Sequence, residues 1–338
     1  MRFGWTLFAL MPALHASAQK PLPVIDMHLH ASTADENGPP PLALCMSLLE
    51  HIDHVRDPRT PYPEIFFAWQ KKPPCRDPVW SPTTDEGLMK ETIAAMERRN
   101  VIGVLSGPPE RVQRWMQVAP GRFIPGLQFQ FGREPESLTP DSLRRLYSAG
   151  RFAVLAEVSN QYVGITPSDP KFEPYLAVAE ELDFPVGIHI GTGPPGAPYL
   201  GFDRYRAAMH SPLTLEDALI RHPKLRVYIM HAGWPMVDDL LAVLWVHPQV
   251  YVDIGAIVFA LPRAELYRFL QRIVDAGFGK RVMFGSDQMV WPGVIERSIK
   301  LIEDAPFLSA AQKRDILYNN AARFLRLSDA EIAKHHGR

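Results

Sequence analysis

Two histidines separated by one residue stand at the end of an apolar stretch near the start of the chain, where residues 24–30 read VIDMHLH. Alternate side chains of a β-strand point to the same face, so Asp26, His28 and His30 are predicted to share one face. Neutral imidazole is the commonest protein ligand for zinc and similar ions, so the pair could bind one cation at a strand end. A pair of solvent-facing or hydrogen-bonded histidines explains the isolated pattern equally well.

Four later apolar runs also carry a histidine or a carboxylate near their ends. They are Glu157 in LAEV, His189 in GIHIG, His231 in IMHAG and Asp287 in FGSD. Several of these residues are followed by glycine, as expected where a strand passes into a loop. Buried imidazoles and carboxylates without partners are costly, so core packing does not explain five such ends. The pattern predicts that these ends share a metal site.

Alternating strands and helices must position these motifs. Apolar runs of strand type alternate with helical periodicity along the chain, and a C-terminal helix is predicted over residues 309–327. Eight strands are predicted, at residues 24–30, 101–107, 122–131, 152–158, 184–191, 226–233, 250–257 and 281–287. Eight βα units favour an α/β fold of the closed (β/α)8 TIM-barrel type. An open doubly wound sheet is the alternative, but its G-x-G-x-x-G fingerprint is absent.

A long proline-rich stretch, residues 31–83, follows the first strand directly. We interpret it as an ordered lid insertion above that strand, because loops of this length are usually functional or disordered. A short helix is predicted over residues 44–54. His51 and His54 on this helix could face a substrate, but a solvated helix face is the favoured interpretation. The lid also contains aromatic residues that it could bury, namely Phe66, Phe67, Trp69 and Trp80.

The N-terminus and the two cysteines indicate the cellular compartment in which the protein is expected. Arg2, the apolar run 3–14 and the small residues 16–18 are typical of a secretory signal peptide, with cleavage predicted after Ala18. An uncleaved membrane anchor is the alternative. Residues 19–338 are predicted to form one domain in a periplasmic or secreted protein. In an oxidising compartment Cys45 and Cys75 could form a disulfide, although two separate buried thiols fit the sequence as well.

Composition narrows the classes of partner. The 338 residues are 46% hydrophobic and carry a net charge of −1. This near-neutral balance gives no support for nucleic-acid binding, which normally requires a basic face. No internal apolar run is long enough to cross a bilayer, so no membrane contact is expected after the signal peptide is removed. A small-molecule substrate is the expected partner, and a homo-oligomer is compatible with the sequence.

The combined motifs resemble the amidohydrolase superfamily, in particular the branch called amidohydrolase-related or amidohydrolase 2. The resemblance is carried by DMHLH at 26–30, His189, HAG at 231–233, GSD at 285–287 and ILYNNAAR at 316–323. It implies a TIM barrel with one or two divalent ions. It further implies that a metal is held by His28, His30, His189 and Asp287, and that His231 binds a second ion or orients the substrate. Glu157 could bridge two ions, as a strand-four carboxylate does in some relatives, or could support the ligands or bind substrate.

The chemistry implied is hydrolysis. A divalent ion, expected to be zinc with manganese as the alternative, lowers the pKa of bound water from about 15.7 toward about 7. We expect the resulting hydroxide to attack an ester, lactone or amide carbon of a small molecule. Asp287 would shuttle the proton, and His231 would stabilise the developing oxyanion. Candidate substrate contacts are Tyr162, Tyr199, Arg204, Arg206, Trp234, Gln288 and Trp291.

Two other functions are compatible with the sequence. The same branch includes decarboxylases, and many of them resemble one another in having an acidic residue soon after the sixth-strand histidine. Here His231 is followed by Ala-Gly-Trp-Pro, which favours hydrolysis. The second alternative is a catalytically silent protein that binds a metal or a ligand. Asp287 argues against it, because a protein that only binds needs no proton shuttle.

Overall fold

Eight parallel strands form the central sheet of the protein. The computed structural model describes residues 21–53, 57–132 and 138–338, so the predicted signal peptide and His54 lie outside the described residues. The central sheet contains β1 (Val24–His30), β4 (Val101–Ser106), β5 (Phe123–Phe129), β6 (Val154–Val158), β7 (Val186–His189), β8 (Val227–Met230), β9 (Val250–Asp253) and β10 (Val282–Met283). Two further short strands, β2 (Ala43–Leu44) and β3 (Val79–Trp80), lie outside it. The sheet order is β1-β4-β5-β6-β7-β8-β9-β10, and β2 pairs with β3 separately in antiparallel fashion.

Backbone hydrogen bonds connect the two ends of this sheet. The N–H of Met27 donates to the carbonyl oxygen of Phe284 at 2.9 Å, and the N–H of Asp287 donates to that of His28 at 2.9 Å. The sheet is thus a nearly closed barrel, and the predicted TIM-barrel class is confirmed. Several strands are shorter than predicted, so His231 and Asp287 lie just beyond β8 and β10 rather than within them. Their backbones adopt positive φ angles of 64° and 51°, which end the extended conformation.

Helices lie between successive barrel strands and follow the last one. They are α1 (Leu48–His51), α2 (Tyr62–Lys71), α3 (Asp85–Arg98), α4 (Pro109–Val118), α5 (Pro140–Ser148), α6 (Glu173–Leu182), α7 (Glu216–Arg221), α8 (Val237–Val246), α9 (Ile257–Ala260), α10 (Arg263–Ile273), α11 (Gly293–Glu303), α12 (Ala310–Arg314), α13 (Asn320–Leu325) and α14 (Asp329–His335). Short polar side chains fix several of their starts. Thr84 accepts a hydrogen bond from the N–H of Gly87 at 3.1 Å, which satisfies a donor that the first turn of α3 leaves unpaired. No helix among the described residues is long and apolar enough to span a bilayer.

The barrel interior below the rim is filled by apolar side chains, many of them from alternate strands. Tyr228 is completely buried there, and its hydroxyl donates to the carbonyl oxygen of Met27 at 3.2 Å. The presence of Met27 in this interior shows that β1 does not keep the strict alternation predicted from its sequence. The pairing of β1 with β4 shifts register between Asp26 and Leu29. The interior cluster includes Ile25, Met27, Val104, Val154, Ala156, Tyr228, Met230 and Met283.

The proline-rich stretch 31–83 contains more regular structure than the sequence predicts. Helix α1 is shorter than the predicted helix over 44–54, and α2 was not predicted. A disulfide joins Cys45 to Cys75, with Cα atoms 5.8 Å apart, so the paired alternative is the one observed. Several hydrogen bonds attach the stretch to the barrel, among them those of Tyr62 and Trp291. The hydroxyl of Tyr62 donates to the carbonyl oxygen of Pro195 at 2.8 Å, and the indole N–H of Trp291 donates to that of Leu42 at 3.0 Å.

Replacing Cys45 and Cys75 together by serine should leave the barrel folded and loosen residues 46–74. A disulfide that closes a loop of this length contributes about 3–4 kcal/mol in the chain-entropy account, and here the loss falls on the stretch that it encloses. Limited proteolysis followed by mass spectrometry should show faster cleavage within residues 46–74 than in the unmodified protein. Equal cleavage rates there, with and without reductant, would show that the disulfide does not hold the stretch.

Candidate metal centre

Glu157, on β6, is the carboxylate around which four histidines meet. Its Oε1 contacts Nδ1 of His189 and lies 3.7 Å from Nε2 of His231. Its Oε2 lies 3.9 Å from Nε2 of His28 and 3.8 Å from Nε2 of His30. These residues lie at the C-terminal ends of β1, β6 and β7 and directly after β8, and all five are buried. The structure therefore brings five of the predicted metal-site residues together.

Asp287, in the loop after β10, lies against the two histidines of β1. Its Oδ1 lies 3.0 Å from Nε2 of His30 and 3.6 Å from Nε2 of His28. Burial by itself would raise the pKa of Asp287, but the charge of His28 and the hydrogen bond to His30 lower it to about 2. The sixth predicted residue thus joins the same cluster as a carboxylate.

Asp253, at the end of β9, supports the imidazole of His28 and the backbone of His231. Its Oδ2 lies 3.2 Å from Nδ1 of His28, and its Oδ1 accepts hydrogen bonds from the N–H groups of His231 at 3.1 Å and Gly255 at 2.8 Å. Nδ1 of His231 lies 2.9 Å from the carbonyl oxygen of Gly255, which can only accept. Both rings therefore use Nδ1 for support, which leaves Nε2 for the centre. A Cβ atom on residue 255 would lie 2.6 Å from Nδ1 of His28, so only glycine fits there.

Asp26, on β1, supports the centre from a deeper position. Its Oδ1 accepts hydrogen bonds from the N–H groups of His28 at 3.0 Å and Ser286 at 2.9 Å. These bonds connect the strand that carries His28 to the loop that carries Asp287. Complete burial raises the pKa of Asp26 to about 7, against the lowering effect of its hydrogen bonds.

The electrostatics of the cluster fit a bound cation. Burial alone would lower the pKa of His28, but the carboxylates of Asp287 and Asp253 raise it to about 10. Burial would raise the pKa of Glu157, but the charge and hydrogen bond of His189 and the neighbouring histidines hold it well below its usual range. The negative field that favours a proton on His28 also favours a divalent ion.

The donor atoms fit a metal as well. Nε2 of His28 and Nε2 of His189 are buried and have no hydrogen-bond partner among the described residues. Orphaned buried nitrogens are rare and costly unless another group binds them. Two candidate ligand groups share Glu157, one with His28 and His30 and one with His189 and His231, and within each group the donor atoms lie within 4.8 Å of one another. Mixed imidazole and carboxylate donors suit zinc, and carboxylates also suit manganese.

A cavity of about 610 Å³ lies at the centre, and His30, Glu157, His189 and Asp287 form part of its lining. Three of the predicted substrate contacts also line the cavity, namely Tyr162, Trp234 and Trp291. The ring of Tyr162 lies 4.8 Å from that of His189, centroid to centroid. His51 lines the cavity too, rather than lying on a solvated helix face.

Gln288 occupies a position different from the predicted substrate contact. It is completely buried, its Oε1 accepts from the N–H of His30 at 2.9 Å, and its Nε2 donates to the carbonyl oxygen of His30 at 2.6 Å. Both ends of its amide are thus occupied in fixing the backbone of a candidate ligand. The remaining candidates, Tyr199, Arg204 and Arg206, are exposed and do not line the cavity.

Two glutamines at the end of the third barrel strand escaped the sequence prediction. Gln128 and Gln130 line the cavity, and Oε1 of Gln130 accepts a hydrogen bond from the hydroxyl of Ser159 at 3.0 Å. The side chain of Gln128 makes no hydrogen bond with the described residues. The alternation in FIPGLQFQF at residues 123–131 indicates both glutamines. Their amides occupy strand-end positions of the kind that carry histidine or carboxylate on other strands.

The chain belongs to the amidohydrolase 2 family. The family model, described as amidohydrolase, matches residues 25–327 and confirms the resemblance inferred from the motifs. The family is metal-dependent, and the clustered histidines and carboxylates provide a place for the metal. A comparison with curated proteins finds no match.

Solved structures with the same fold include proteins that are named for different reactions. An uncharacterized TIM-barrel protein from Bordetella bronchiseptica is 19% identical with a TM-score of 0.60, covering 94% of this chain and 100% of its own. A probable 2-pyrone-4,6-dicarboxylic acid hydrolase from Acinetobacter baumannii is 16% identical with a TM-score of 0.56, covering 90% and 99%. A 5-carboxyvanillate decarboxylase from Sphingomonas paucimobilis is 14% identical with a TM-score of 0.53, covering 91% and 100%. These likenesses support the fold.

Replacing Glu157 by glutamine should weaken zinc binding by more than the 10- to 100-fold typical of a residue that only supports a ligand, because both candidate ligand groups use this carboxylate. Competition with a chromogenic chelator, starting from metal-free protein, measures the affinity.

The matched control is His222→Gln. This buried histidine lies 2.8 Å from Glu173 and 3.1 Å from Glu180, outside the centre, so its loss should leave zinc affinity unchanged. Equal zinc affinities for Glu157→Gln and the unmodified protein would show that Glu157 is not a ligand.

Proposed function

We propose that the protein is a metal-dependent hydrolase that uses water to cleave an ester, lactone or amide bond of a small molecule. The observation that carries this proposal is the position of Asp287. Its carboxylate lies 3.0 Å from Nε2 of His30 and also lines the cavity, so one group faces both the candidate ligands and a substrate. A divalent cation at this centre supplies a Lewis acid for a carbonyl group and lowers the pKa of water.

The residues of the centre take separate roles in this reaction. His28, His30, His189 and Asp287 would hold the cation, with Glu157 as a further ligand; zinc is preferred and manganese is the alternative. Asp287 accepts a proton from the attacking water and returns it to the leaving oxygen or nitrogen, so the carboxylate is regenerated in each turnover.

His231, as the imidazolium, stabilises the negative charge that develops on the substrate carbonyl oxygen. Burial alone would lower the pKa of His231, but its hydrogen bond with Glu157 raises it. Support of its Nδ1 by the carbonyl oxygen of Gly255 directs Nε2 toward the centre. If two ions are bound, His231 is instead a ligand of the second ion, together with Glu157 and His189.

Decarboxylation is the competing reaction in this family. The structural neighbours include a probable hydrolase and a decarboxylase, and the fold serves both. Hydrolysis is favoured by the residues after His231. Many decarboxylases share an acidic residue soon after this histidine, whereas here Ala232, Gly233 and Trp234 follow it. Trp234 lines the cavity, so this part of the wall is aromatic.

Replacing Asp287 by asparagine should lower kcat by roughly 10²- to 10⁴-fold, the usual contribution of a positioned acid–base group, and leave the fold intact. The assay uses a panel of p-nitrophenyl esters, lactones and amides with added zinc or manganese, and each variant's metal content is measured in parallel. Asp304→Asn is the control, because this exposed carboxylate only pairs with Lys300 at 3.0 Å.

Two results would contradict the proposal. One is full turnover by the Asp287→Asn variant, which would show that Asp287 does not carry the proton. The other is release of carbon dioxide from carboxylated aromatic acids by a protein that hydrolyses nothing in the panel, which would favour the lyase.

We further propose that the protein is exported to the periplasm or the medium. The leader-type sequence of residues 1–18 supports this, as does the Cys45–Cys75 disulfide, because disulfides persist in oxidising compartments. N-terminal sequencing of the protein recovered from the periplasmic or extracellular fraction should begin at Gln19. A cell-retained protein that keeps residues 1–18 would contradict it.

A further inference from the structure

We propose that the substrate is uncharged and carries a bulky apolar or aromatic group, which the cavity binds beside the metal centre. The inference rests on the proposed function only for the type of bond that is cleaved. It concerns the remainder of the substrate, and the preference of the cavity for that remainder can be tested by binding alone.

Outside the metal centre the cavity is lined chiefly by apolar side chains. Helix α1 contributes Leu48 and Leu49, and helix α2 contributes Phe66 and Phe67. Phe202, in the loop after β7, adds another aromatic ring, whose centroid lies 4.7 Å from that of Tyr162. Cavities of a few hundred Å³ enclose ligands of drug size, so about 610 Å³ leaves room for a large apolar group next to the reacting carbonyl.

The charges around the cavity disfavour an acidic substituent. Outside the metal centre, Glu36 is in its lining, and no lysine or arginine is found among the described lining residues. The imidazole of His51 is the titratable nitrogen that these residues offer outside the centre. The guanidinium of Arg111 lies 3.7 Å from Glu36 but does not reach the lining. A carboxylate placed against this wall would lose its water and gain no strong counter-charge, which is unfavourable.

The apolar wall is held in place by contacts within the chain. The ring of Tyr62 packs edge-on against that of Trp69 at 6.1 Å, and its hydroxyl donates to the carbonyl oxygen of Pro195. A Cβ atom at position 196 would lie 2.2 Å from the Tyr62 ring, and the φ of Gly196 is +72°, so glycine permits this close approach. A disulfide also joins Cys45, a lining residue that precedes α1, to Cys75, which follows α2. A preformed wall binds an apolar group without first having to be ordered.

A matched pair of fluorescent probes tests the binding preference. N-Phenyl-1-naphthylamine and 8-anilinonaphthalene-1-sulfonate share one ring system, and only the second carries a negative charge. Titrated into the zinc-loaded protein, the neutral probe should bind at least tenfold more tightly than the sulfonate. Equal or tighter binding of the sulfonate would overturn the proposal.

Variants locate the bound probe. Phe66→Ala should weaken binding of the neutral probe by about tenfold, since an aromatic side chain in a wall contributes much of its contact area. Phe202→Ala should do the same from the other side and replaces the first variant if that one does not fold. Trp245→Ala is the control, because Trp245 is 81% exposed and is not among the cavity-lining residues. A loss for Trp245→Ala equal to that for Phe66→Ala would place the probe on the surface and overturn the proposal.

Turnover separates this inference from the proposed function. Among p-nitrophenyl esters, kcat/KM should rise about two- to fourfold for each methylene from acetyl to octanoyl. The p-nitrophenyl monoester of suberic acid has the same chain length as the octanoyl ester and ends in a carboxylate. Its kcat/KM should be at least 100-fold lower than that of the octanoyl ester. Hydrolysis that favours the suberyl ester would overturn the inference and leave the hydrolase intact. Absence of metal-dependent hydrolysis across the panel would overturn the proposed function, whereas the probe experiment would still decide the inference.

Discussion

Burial of acidic and imidazole groups around Glu157 is the constraint on which the rest of the site depends. Its carboxylate lies within 4 Å of His28, His30, His189 and His231, and every one of these side chains is withdrawn from water. Such a cluster is costly unless its charges and lone pairs are matched. Among the residues that the structure describes, Nε2 of His28 and Nε2 of His189 have no hydrogen-bond partner, and a shared cation would complete the balance.

The barrel makes this crowding feasible because it supports each side chain from below. Asp253 and Asp26 receive backbone N–H groups from several strand ends and loops, and the amide of Gln288 is bonded to both backbone groups of His30. The candidate ligands are thus held by neighbours that are themselves buried and hydrogen-bonded. Residues 31–83 add an apolar wall to this rigid rim. In the proposed function, the barrel therefore carries the chemistry, and much of the selectivity comes from the added segment.

Local sequence patterns were sufficient to find the histidines and carboxylates that the structure brings together at the centre. Parallel strands of a barrel end on one rim, so histidine or carboxylate at successive strand ends had to converge there. The same reasoning could not detect the register shift in β1, which depends on how β4 pairs with it. It also placed Gln288 at the substrate, because a residue next to Asp287 in sequence need not face the same way when the backbone turns sharply.

The proline-rich stretch was the least predictable part. Its helix α2, its disulfide and the inward position of His51 depend on contacts made across the cavity rather than on local periodicity. Gln128 was missed for a different reason, since a neutral amide at a strand end is an ordinary feature until the cavity around it is known.

X-ray absorption at the zinc K-edge of the zinc-loaded protein tests the central claim most directly. If the buried histidines and carboxylates share a cation, the spectrum will show a first shell of nitrogen and oxygen with the multiple-scattering pattern of at least two imidazoles, and that pattern will weaken in a His28→Ala variant. A first shell of oxygen without imidazole scattering, or one unchanged by His28→Ala, would contradict the account.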